Sequence, residues 1–434
     1  MKGAENIFMR STDIRKVKAR EILDCKGKPA IEVDVYTEGG AVGRAASPSG
    51  ISAGSREAFV FRDCDPGRYD GMGVLRAVEL VKKEIEPAVT GMDVFDQEGI
   101  DRKLIQLDGT ENKSRLGGNT IYSVSLACIK AAAASLNMPL YQYVAGGPLK
   151  TVPIPTFNCI DGGSYQKGTM PFQECTVIPY RAKSIREAVE IGWSVFKETG
   201  KVIEEYQNGT PAKAGTVSGW QPPSSDPEVC FDILHEAAKR CRADEKIAFA
   251  ADCASSEFYI EERDTYDFLG REMDLDEMLG MIKGLTEKYP FLYVEDPVQE
   301  NDWAGWIKAA EVLNRTVVIG DDLTVTDRRT IEKAHELGAC GGFIFKPNQV
   351  GTVTECLEAE KYARENNMLV VPSIRAGGSV CDEVIDIGVG IGAAATKQGP
   401  PKNGERIYGI NFLLRAEDEN PGAKPYDFAA FVRF

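Results

Sequence analysis

Histidine is nearly absent from this chain of 434 residues, which contains only His235 and His335. Both lie in amphipathic stretches between apolar runs, where surface helices are expected. A Ser-His-Asp triad, a Cys-His pair and a histidine-rich zinc site all need imidazole groups close to the reacting atoms, so we expect none of these sites. Any chemistry must use carboxylates, lysines, arginines or a metal held by oxygen.

The sequence also lacks a long unbroken apolar run and a CxxC cysteine pair. Its longest apolar stretch, residues 122–141, is interrupted by serines, Lys130 and Asn137, so no membrane span is expected. The first 16 residues mix both charges, unlike a secretory signal. The 11 cysteines, an odd number without obvious pairing, are typical of a reducing compartment, and we expect a cytoplasmic protein.

The sequence has fewer basic than acidic residues, 51 against 66, and its formal net charge is −15. Such a chain repels phosphate backbones and anionic membranes, so neither nucleic acid nor a membrane is an expected partner. An acidic protein that acts on an anionic metabolite needs a cation in its site, so the net charge is compatible with a bound divalent metal. Solubility alone would explain the charge equally well.

Residues 1–147 have the pattern of an α+β domain. Alternation over residues 30–36 predicts a strand, a Gly/Ser-rich loop follows at residues 47–55, and residues 75–85 and 119–136 have helical patterns.

Residues 148–434 change to apolar runs separated by longer amphipathic stretches, which predicts an α/β fold with a (β/α)8 barrel of ordinary length. The eight predicted strands are residues 152–160, 172–179, 246–252, 291–295, 316–321, 342–346, 368–374 and 385–395.

Four successive runs of this second domain end in charged residues: Asp252, Glu295, Asp321 and Lys346. Because catalytic groups of such barrels project from the carboxyl ends of the strands, these four should converge. Three carboxylates form the oxygen-only shell that Mg²⁺ prefers, and a lysine beside the cation would have a lowered pKa, as a base requires. This set indicates abstraction of a proton α to a carboxylate.

Basic residues at the following strand ends, Arg375 and Lys397, would bind a second anionic group such as phosphate. The alternative is that all these residues form ordinary salt bridges at strand ends.

Long motifs in order show that the chain resembles the enolase family, the phosphopyruvate hydratases, from about Lys16 to the C-terminus. The matching stretches include AREILD and GKP (residues 19–29), LDGTENKS (107–114), VSLA (124–127), PLY (139–141), GGS (162–164), ASSEFY (254–259), VEDP (294–297), GDDLTVT (320–326) and KPNQVG (346–351). The resemblance implies an N-terminal capping domain, residues 1–147, before an enolase-type TIM barrel, residues 148–434.

The resemblance also implies roles for individual residues. Asp252, Glu295 and Asp321 resemble the ligands of a tightly bound Mg²⁺, Lys346 the base that takes the α-proton, and Lys397 the lysine that holds the substrate carboxylate. Three further residues match family positions: Arg375 the phosphate-binding arginine, Ser52 the serine of a lid that contributes to a second metal, and Glu174 a carboxylate beside the acid.

Four positions depart from the family pattern. The family's G-D-E-G-G loop, whose glutamate protonates the departing hydroxyl, reads GTVSG here, with Val217 at the glutamate. Tyr165 and Ile374 stand where the family has histidines, and Ala376 where it has serine. We expect Tyr165 to contact the substrate, and we expect the usual dehydration acid to be missing.

These departures suggest several functions. The first is synthesis of carboxyphosphonoenolpyruvate, as in phosphinothricin-type pathways, from a three-carbon phosphate and a nucleotide-activated phosphonoformate. The second is phosphopyruvate hydratase activity, the conversion of 2-phosphoglycerate to phosphoenolpyruvate, with Glu174 or a metal-bound water as substitute acid. The others are another superfamily lyase, racemase or transferase, and a non-catalytic scaffold.

The resemblance further implies a homodimer. Enolases pair through an arginine of the N-terminal domain and a glutamate near the C-terminus, and this chain has Lys26 and Glu405 there. Lysine cannot form the two parallel hydrogen bonds that arginine makes with a carboxylate, so we expect a dimer in which this contact is weaker.

Overall fold

A computed structural model of the chain describes residues 11–48, 50, 54–379 and 383–434. Ser52, predicted to belong to a lid, lies outside these residues. None of the helices in the described ranges combines the length and apolar character that crossing a membrane requires.

The N-terminal unit is a three-stranded antiparallel sheet covered by helices. Its strands are β1 (Ile14–Leu23), β2 (Pro29–Thr37) and β3 (Val42–Ala46), in the order β1-β2-β3. Its helices are α1 (Leu75–Leu80), α2 (Glu86–Val89), α3 (Gln97–Asp108), α4 (Gly118–Ser135) and α5 (Leu140–Ala145), with a π-helical turn at Val81–Ile85.

Helix α4 forms the centre of this unit. It is apolar on nearly every side and buried along most of its length, as expected of a helix enclosed by other elements. The predicted helix at residues 119–136 is therefore confirmed, and the part of the apolar stretch that lies in α4 belongs to the protein core.

The remaining strands follow from residue 151. They are β4 (Thr151–Val152), β5 (Ile154–Asp161), β6 (Glu174–Ile178), β7 (Ala248–Asp252), β8 (Tyr259–Ile260), β9 (Thr265–Phe268), β10 (Arg271–Met273), β11 (Phe291–Glu295), β12 (Val317–Gly320), β13 (Gly342–Phe345), β14 (Leu369–Pro372), β15 (Ala395–Lys397) and β16 (Lys424–Pro425). The remaining helices are α6 (Ile185–Tyr206), α7 (Pro227–Arg240), α8 (Leu275–Lys288), α9 (Trp303–Val312), α10 (Arg328–Glu336), α11 (Pro347–Val350), α12 (Val353–Glu365), α13 (Val384–Gly390) and α14 (Gly404–Glu419).

Eight of these strands form the barrel, in the order β14-β13-β12-β11-β7-β6-β5-β15. The ring closes between β15 and β14. A parallel β-bridge joins Lys397, the last residue of β15, to Ser373, the residue after β14. The α/β class and the TIM barrel predicted from the sequence are confirmed.

The barrel differs from strict alternation in its first two strands. β5 and β6 run antiparallel with only a 3₁₀ turn (Gly163–Tyr165) as helical structure between them, and two helices, α6 and α7, follow before β7. β6 is also antiparallel to β7, which places the first residue of β6 beside the last residue of β7: Glu174 pairs with Asp252. A residue that begins a strand therefore reaches the edge where the other strands end.

The eighth predicted strand was wrong in its position. Residues 384–390 form helix α13, and the strand is the short β15 after it. A short apolar run rich in glycine and β-branched residues has no clear period, so a buried helix and a buried strand have similar patterns.

Aromatic packing holds the barrel strands in place from outside. Phe231 of α7 contacts Phe291 of β11, with ring centroids 4.7 Å apart, and Phe249 of β7, at 5.7 Å. All three side chains are fully buried. This packing fixes the two strands that end in Asp252 and Glu295.

Candidate active site

The structure brings the predicted site residues to one edge of the barrel. The seven charged residues among them are each at most 8% exposed. Glu174 begins β6, Asp252, Glu295 and Lys397 end β7, β11 and β15, Asp321 and Lys346 follow β12 and β13 directly, and Arg375 follows β14 by three residues.

Lys397 lies at the centre of the acidic residues. Its Nζ atom is 2.9 Å from Asp252 Oδ2, 2.9 and 2.8 Å from the two oxygens of Glu295, and 3.2 Å from Glu174 Oε2. Burial opposes the ammonium charge, but Asp252, Glu174 and Glu295 outweigh it and raise the pKa of Lys397 well above its ordinary value. Lys397 therefore remains positively charged.

Glu174 differs from its neighbours in hydrogen bonding. Among the described residues its Oε2 accepts no hydrogen bond, although Lys397 is close. Burial, together with the charge of Asp252, raises the pKa of Glu174 against the opposing effect of Lys397. This carboxyl group is thus suited to hold a proton beside the cavity.

Lys346 forms an ion pair with Asp321, whose other oxygen accepts a hydrogen bond of 2.9 Å from Gln349. Burial alone would lower the pKa of Lys346, but the charge of Asp321 raises it above the ordinary value. The structure therefore does not show the lowered pKa predicted from the sequence. A lowered pKa requires a cation that competes for Asp321.

Asp296 is a site residue that the sequence analysis missed. Together with Asp321 and Asp322 it forms the group of acids, among the described residues, whose oxygens lie within 4.8 Å of one another. However, both oxygens of Asp296 accept backbone hydrogen bonds, from Asp321 N at 2.9 Å and Asp322 N at 2.8 Å. Asp296 therefore orients the turn that carries Asp321, and the predicted ligand set remains a prediction.

The predicted ligands are suited to Mg²⁺ by their chemistry. Asp252, Glu295 and Asp321 offer only carboxylate oxygens, which this ion prefers. Glu295 is completely buried, and its burial and the charge of Asp252 raise the pKa of Glu295 well above its ordinary value. A cation beside these oxygens would relieve that repulsion, so the residues present fit the ion.

Arg375 is held by residues from the N-terminal unit and the barrel. Its guanidinium donates to both oxygens of Glu57, at 3.1 and 3.3 Å, and more weakly to Asn348 Oδ1 at 3.4 Å. Glu57 has no counterpart in the sequence-based site, because it precedes the barrel by about a hundred residues. Binding of an anion to Arg375 would compete with Glu57.

Three of the departures from the family pattern are brought together. Tyr165, Val217 and Ala376 form a small apolar cluster, separate from the main core, and each is at most 9% exposed. We call it the rim cluster. Tyr165, Ala376 and the fourth departure, Ile374, line the same cavity as the predicted site residues. The cavity wall therefore carries no imidazole at the two family histidine positions, and Val217 packs beside it in the rim cluster.

Asp161 anchors the segment that carries Val217. Its Oδ2 accepts a hydrogen bond of 2.8 Å from Gly219 N, and its Oδ1 accepts one of 2.8 Å from Asn158. A Cβ atom at Gly219 would lie 2.2 Å from Asp161 Oδ1, so only glycine permits this approach. Burial and the charge of Glu174 raise the pKa of Asp161 to about 7.

A turn of the N-terminal sheet also contacts the rim. Lys26 Nζ donates to Thr216 O at 2.7 Å, Cys25 N donates to Gly378 O at 3.1 Å, and Cys25 Sγ lies 3.6 Å from Ala376 O. The turn between β1 and β2 therefore contacts two of the three segments that form the rim cluster, those of Val217 and Ala376. Lys26 bonds within its own chain here, and the predicted contact with Glu405 of a second chain remains a prediction.

Arg406, in the first turn of α14, is a further residue that the sequence analysis missed. It is 6% exposed and lines the cavity with Tyr165, Glu174 and Lys397. The sequence gives no signal for it, because a charged residue in the first turns of a helix is usually exposed.

The cavity between these residues is small. Its volume is about 20 Å³, enough for about one water molecule, so a substrate must displace some of the ion pairs described above. A larger cavity of about 720 Å³ lies elsewhere, lined by Phe95, Tyr143 and Tyr362, and contains none of the predicted residues. Both histidines lie on surface helices, His235 on α7 and His335 on α10.

Comparison with known proteins agrees with this geometry. Residues 14–144 match the family model described as "Enolase, N-terminal domain", and residues 149–433 match "Enolase, C-terminal TIM barrel domain". A protein named enolase from Methanopyrus kandleri is 40% identical over 416 residues, which cover 95% of this chain and 97% of that protein. One from Thermococcus gammatolerans is 40% identical over 417 residues, covering 95% and 96%.

Both domains of the family are thus matched, in order, along almost the whole chain, and the charged residues that carry the resemblance meet at the edge of the barrel where such enzymes bind their substrates. The chain therefore belongs to the enolase family and is an enzyme of the enolase superfamily.

Proposed function

We propose that the protein is a Mg²⁺-dependent enzyme that removes the α-proton from a small phosphorylated carboxylate, with 2-phosphoglycerate as substrate and phosphoenolpyruvate as product. The observation that carries the proposal is the convergence of Lys346, Lys397 and Arg375 with buried carboxylates in one closed cavity. The enolase relatives support dehydration of 2-phosphoglycerate more than any other reaction of this class.

Each cation has a separate role in this proposal. Lys346, once neutral, takes the α-proton at Nζ, while Lys397 and Arg375 bind the carboxylate and phosphate of the substrate. Mg²⁺ held by Asp252, Glu295 and Asp321 would supply the positive charge that stabilises an enolate. The cavity has room for about one water molecule, so little water would screen these electrostatic interactions.

Dehydration also needs a group that protonates the leaving hydroxyl, and Glu174 is our candidate. It is buried and its Oε2 accepts no hydrogen bond from the described residues, and its raised pKa favours the protonated form. A positioned general acid contributes roughly 10²–10⁴-fold, so Glu174→Gln should reduce dehydration by about this factor.

Synthesis of carboxyphosphonoenolpyruvate is the second candidate. Two observations favour it: Val217 cannot act as an acid, and Arg406 places an additional cation in the cavity, where a phosphonoformyl group would find a partner. The names of the relatives favour the first candidate instead.

One experiment separates these functions: phosphorus and proton NMR of the protein with Mg²⁺ and 2-phosphoglycerate in heavy water. Rapid formation of phosphoenolpyruvate supports hydratase activity. Exchange of the α-proton without phosphoenolpyruvate means that base and metal act but dehydration does not, and a nucleotide-activated phosphonoformate is then added. If neither exchange nor product is observed, the proposed function is wrong.

The same preparation tests the proposed assembly. We propose a homodimer, on the basis of family resemblance, and light scattering of the eluting protein measures its mass directly. A mass of one chain would contradict it.

A further inference from the structure

Arg406 is a buried cation in the wall of the cavity. Its side chain lies against the loop that follows β15, where Gly399 makes room: a Cβ atom there would lie 2.1 Å from Arg406 Nη1. The guanidinium interacts electrostatically with Tyr165 and Glu174, which line the same cavity.

The hydrogen bonds of Arg406 are incomplete. A guanidinium has five N–H groups, and among the described residues only one finds an acceptor: Nη1 donates to Gln398 O at 3.1 Å. Nε is buried and has no hydrogen-bond partner there. The nearest carboxylate in ion-pair range, Glu405 Oε1, is 3.9 Å from Nε, beyond hydrogen-bond distance.

The other three cations of the cavity differ from Arg406 in this respect. Lys397 contacts Asp252 and Glu295, Lys346 contacts Asp321, and Arg375 contacts Glu57, all within hydrogen-bond distance. Glu174 and Asp161 lie close enough to interact electrostatically with Arg406, but neither accepts a hydrogen bond from it in the described part of the chain. Arg406 is therefore the cation with the greatest unused capacity for an acceptor.

A buried charge without close partners is strongly unfavourable unless a ligand or water completes its hydrogen bonds. Guanidinium groups bind carboxylate and phosphate through two parallel hydrogen bonds, which this fork of free N–H groups permits. We propose that Arg406 forms an anion-binding subsite of the cavity, separate from the carboxylate and phosphate positions, so that the site also binds phosphorylated carboxylates that carry a third anionic group. The location of this subsite rests on the proposed function.

Two probes that differ in this third group test the proposal by calorimetry in the presence of Mg²⁺. 2-Phosphomalate is 2-phosphoglycerate with a carboxylate in place of the hydroxyl on the third carbon. We expect the protein to bind 2-phosphomalate roughly 10- to 100-fold more tightly, as hydrogen bonds to a charged group imply. Arg406→Leu should reduce this preference to about one.

Arg415→Leu is the matched control, since Arg415 is an exposed arginine on the same helix, α14, and should leave the preference unchanged. If Arg406→Leu does not melt cooperatively, Arg406→Gln replaces it with the same expected result. The proposal is overturned if the parent protein shows no preference for 2-phosphomalate. It is also overturned if the Arg406 variant weakens both ligands equally, as a purely structural role would.

Failure of this proposal is distinguishable from failure of the proposed function. The exchange of the α-proton of 2-phosphoglycerate tests the roles of Lys346 and the metal. The ratio of the affinities for 2-phosphomalate and 2-phosphoglycerate tests the role of Arg406, and it is measured without turnover.

Discussion

Lys397 bridges both carboxylate oxygens of Glu295, at 2.9 and 2.8 Å, and so occupies space that a metal ion shared with Asp252 would need. Mg²⁺ must therefore compete with an internal ammonium. This competition makes the Mg²⁺ ligands testable by mutation. Lys397 competes with the ion for Glu295 and Asp252, and it does not compete for Asp322.

We predict that Glu295→Gln lowers the affinity for Mg²⁺ by roughly tenfold or more, since the variant loses one of three anionic ligands. Calorimetric titration with Mg²⁺ measures the effect, and Asp232→Asn, an exposed carboxylate on α7, is the control. If Asp322→Asn abolishes Mg²⁺ binding and Glu295→Gln does not, the ion is held by Asp296, Asp321 and Asp322 instead.

Lys346→Ala should abolish exchange of the substrate α-proton, with a loss of at least about 10²-fold, because the variant lacks the base. Binding of Mg²⁺ should persist, since Asp321 loses a competing ammonium. Proton NMR in heavy water reports the exchange, and Lys239→Ala, exposed on α7, should exchange at the parent rate. Exchange by Lys346→Ala at the parent rate would show that another group is the base.

Val217→Glu should restore an acid to the rim cluster. We expect the fraction of exchanged 2-phosphoglycerate that proceeds to phosphoenolpyruvate to rise, by up to roughly 10²-fold, because protonation of the leaving hydroxyl becomes easier. Burying a carboxyl group beside Tyr165 should also lower the melting temperature.

Val217→Gln has nearly the same shape without the acid, and comparison of the two variants isolates the proton. If both variants give the same fraction of product, a change of shape and not an acid is responsible.

Asp161 should make stability depend on pH. Its pKa is about 7 in the folded protein against an ordinary value of 3.8, so folding favours the protonated form. The contribution of Asp161 to the free energy of unfolding is fully present below about pH 4 and is lost as the pH rises to 7. Above pH 7 it does not change further. The amide of the Asp161→Asn variant cannot ionise, so this variant should become more stable relative to the parent between pH 4 and 7.

Urea unfolding at four pH values across this range gives the difference in midpoint between parent and variant. Asp418→Asn, at an exposed position near the end of α14, is the control. If the difference in midpoint between the parent and Asp161→Asn is the same at all four pH values, this carboxyl group is already ionised at low pH in the folded protein.

The sequence allowed most of the charged edge to be predicted, for a definite reason. Asp252, Glu295, Asp321 and Lys346 each follow an apolar run directly, and parallel strands of a barrel place such residues at one edge. Glu174 begins its strand, and an apolar run contains no information on strand direction. Its place was accessible only by family resemblance.

The sequence analysis missed Asp161 and Arg406, for different reasons. Asp161 ends an apolar run in the same way as the other strand-end acids, and this signal could have identified it. Arg406 is buried only because β15, Gly399 and α14 meet around it, and burial created by distant segments leaves no mark on the neighbouring sequence.

The contacts of the turn between β1 and β2 have a consequence for the order in which the molecule is assembled. Lys26 is separated from Thr216 by 190 residues, and Cys25 from Ala376 by 351. In a chain growing from its N-terminus, the turn is made long before either partner. The rim of the cavity is then complete only after most of the barrel has been synthesised, so a nascent chain carries the turn that supports the rim while the rim itself is still missing.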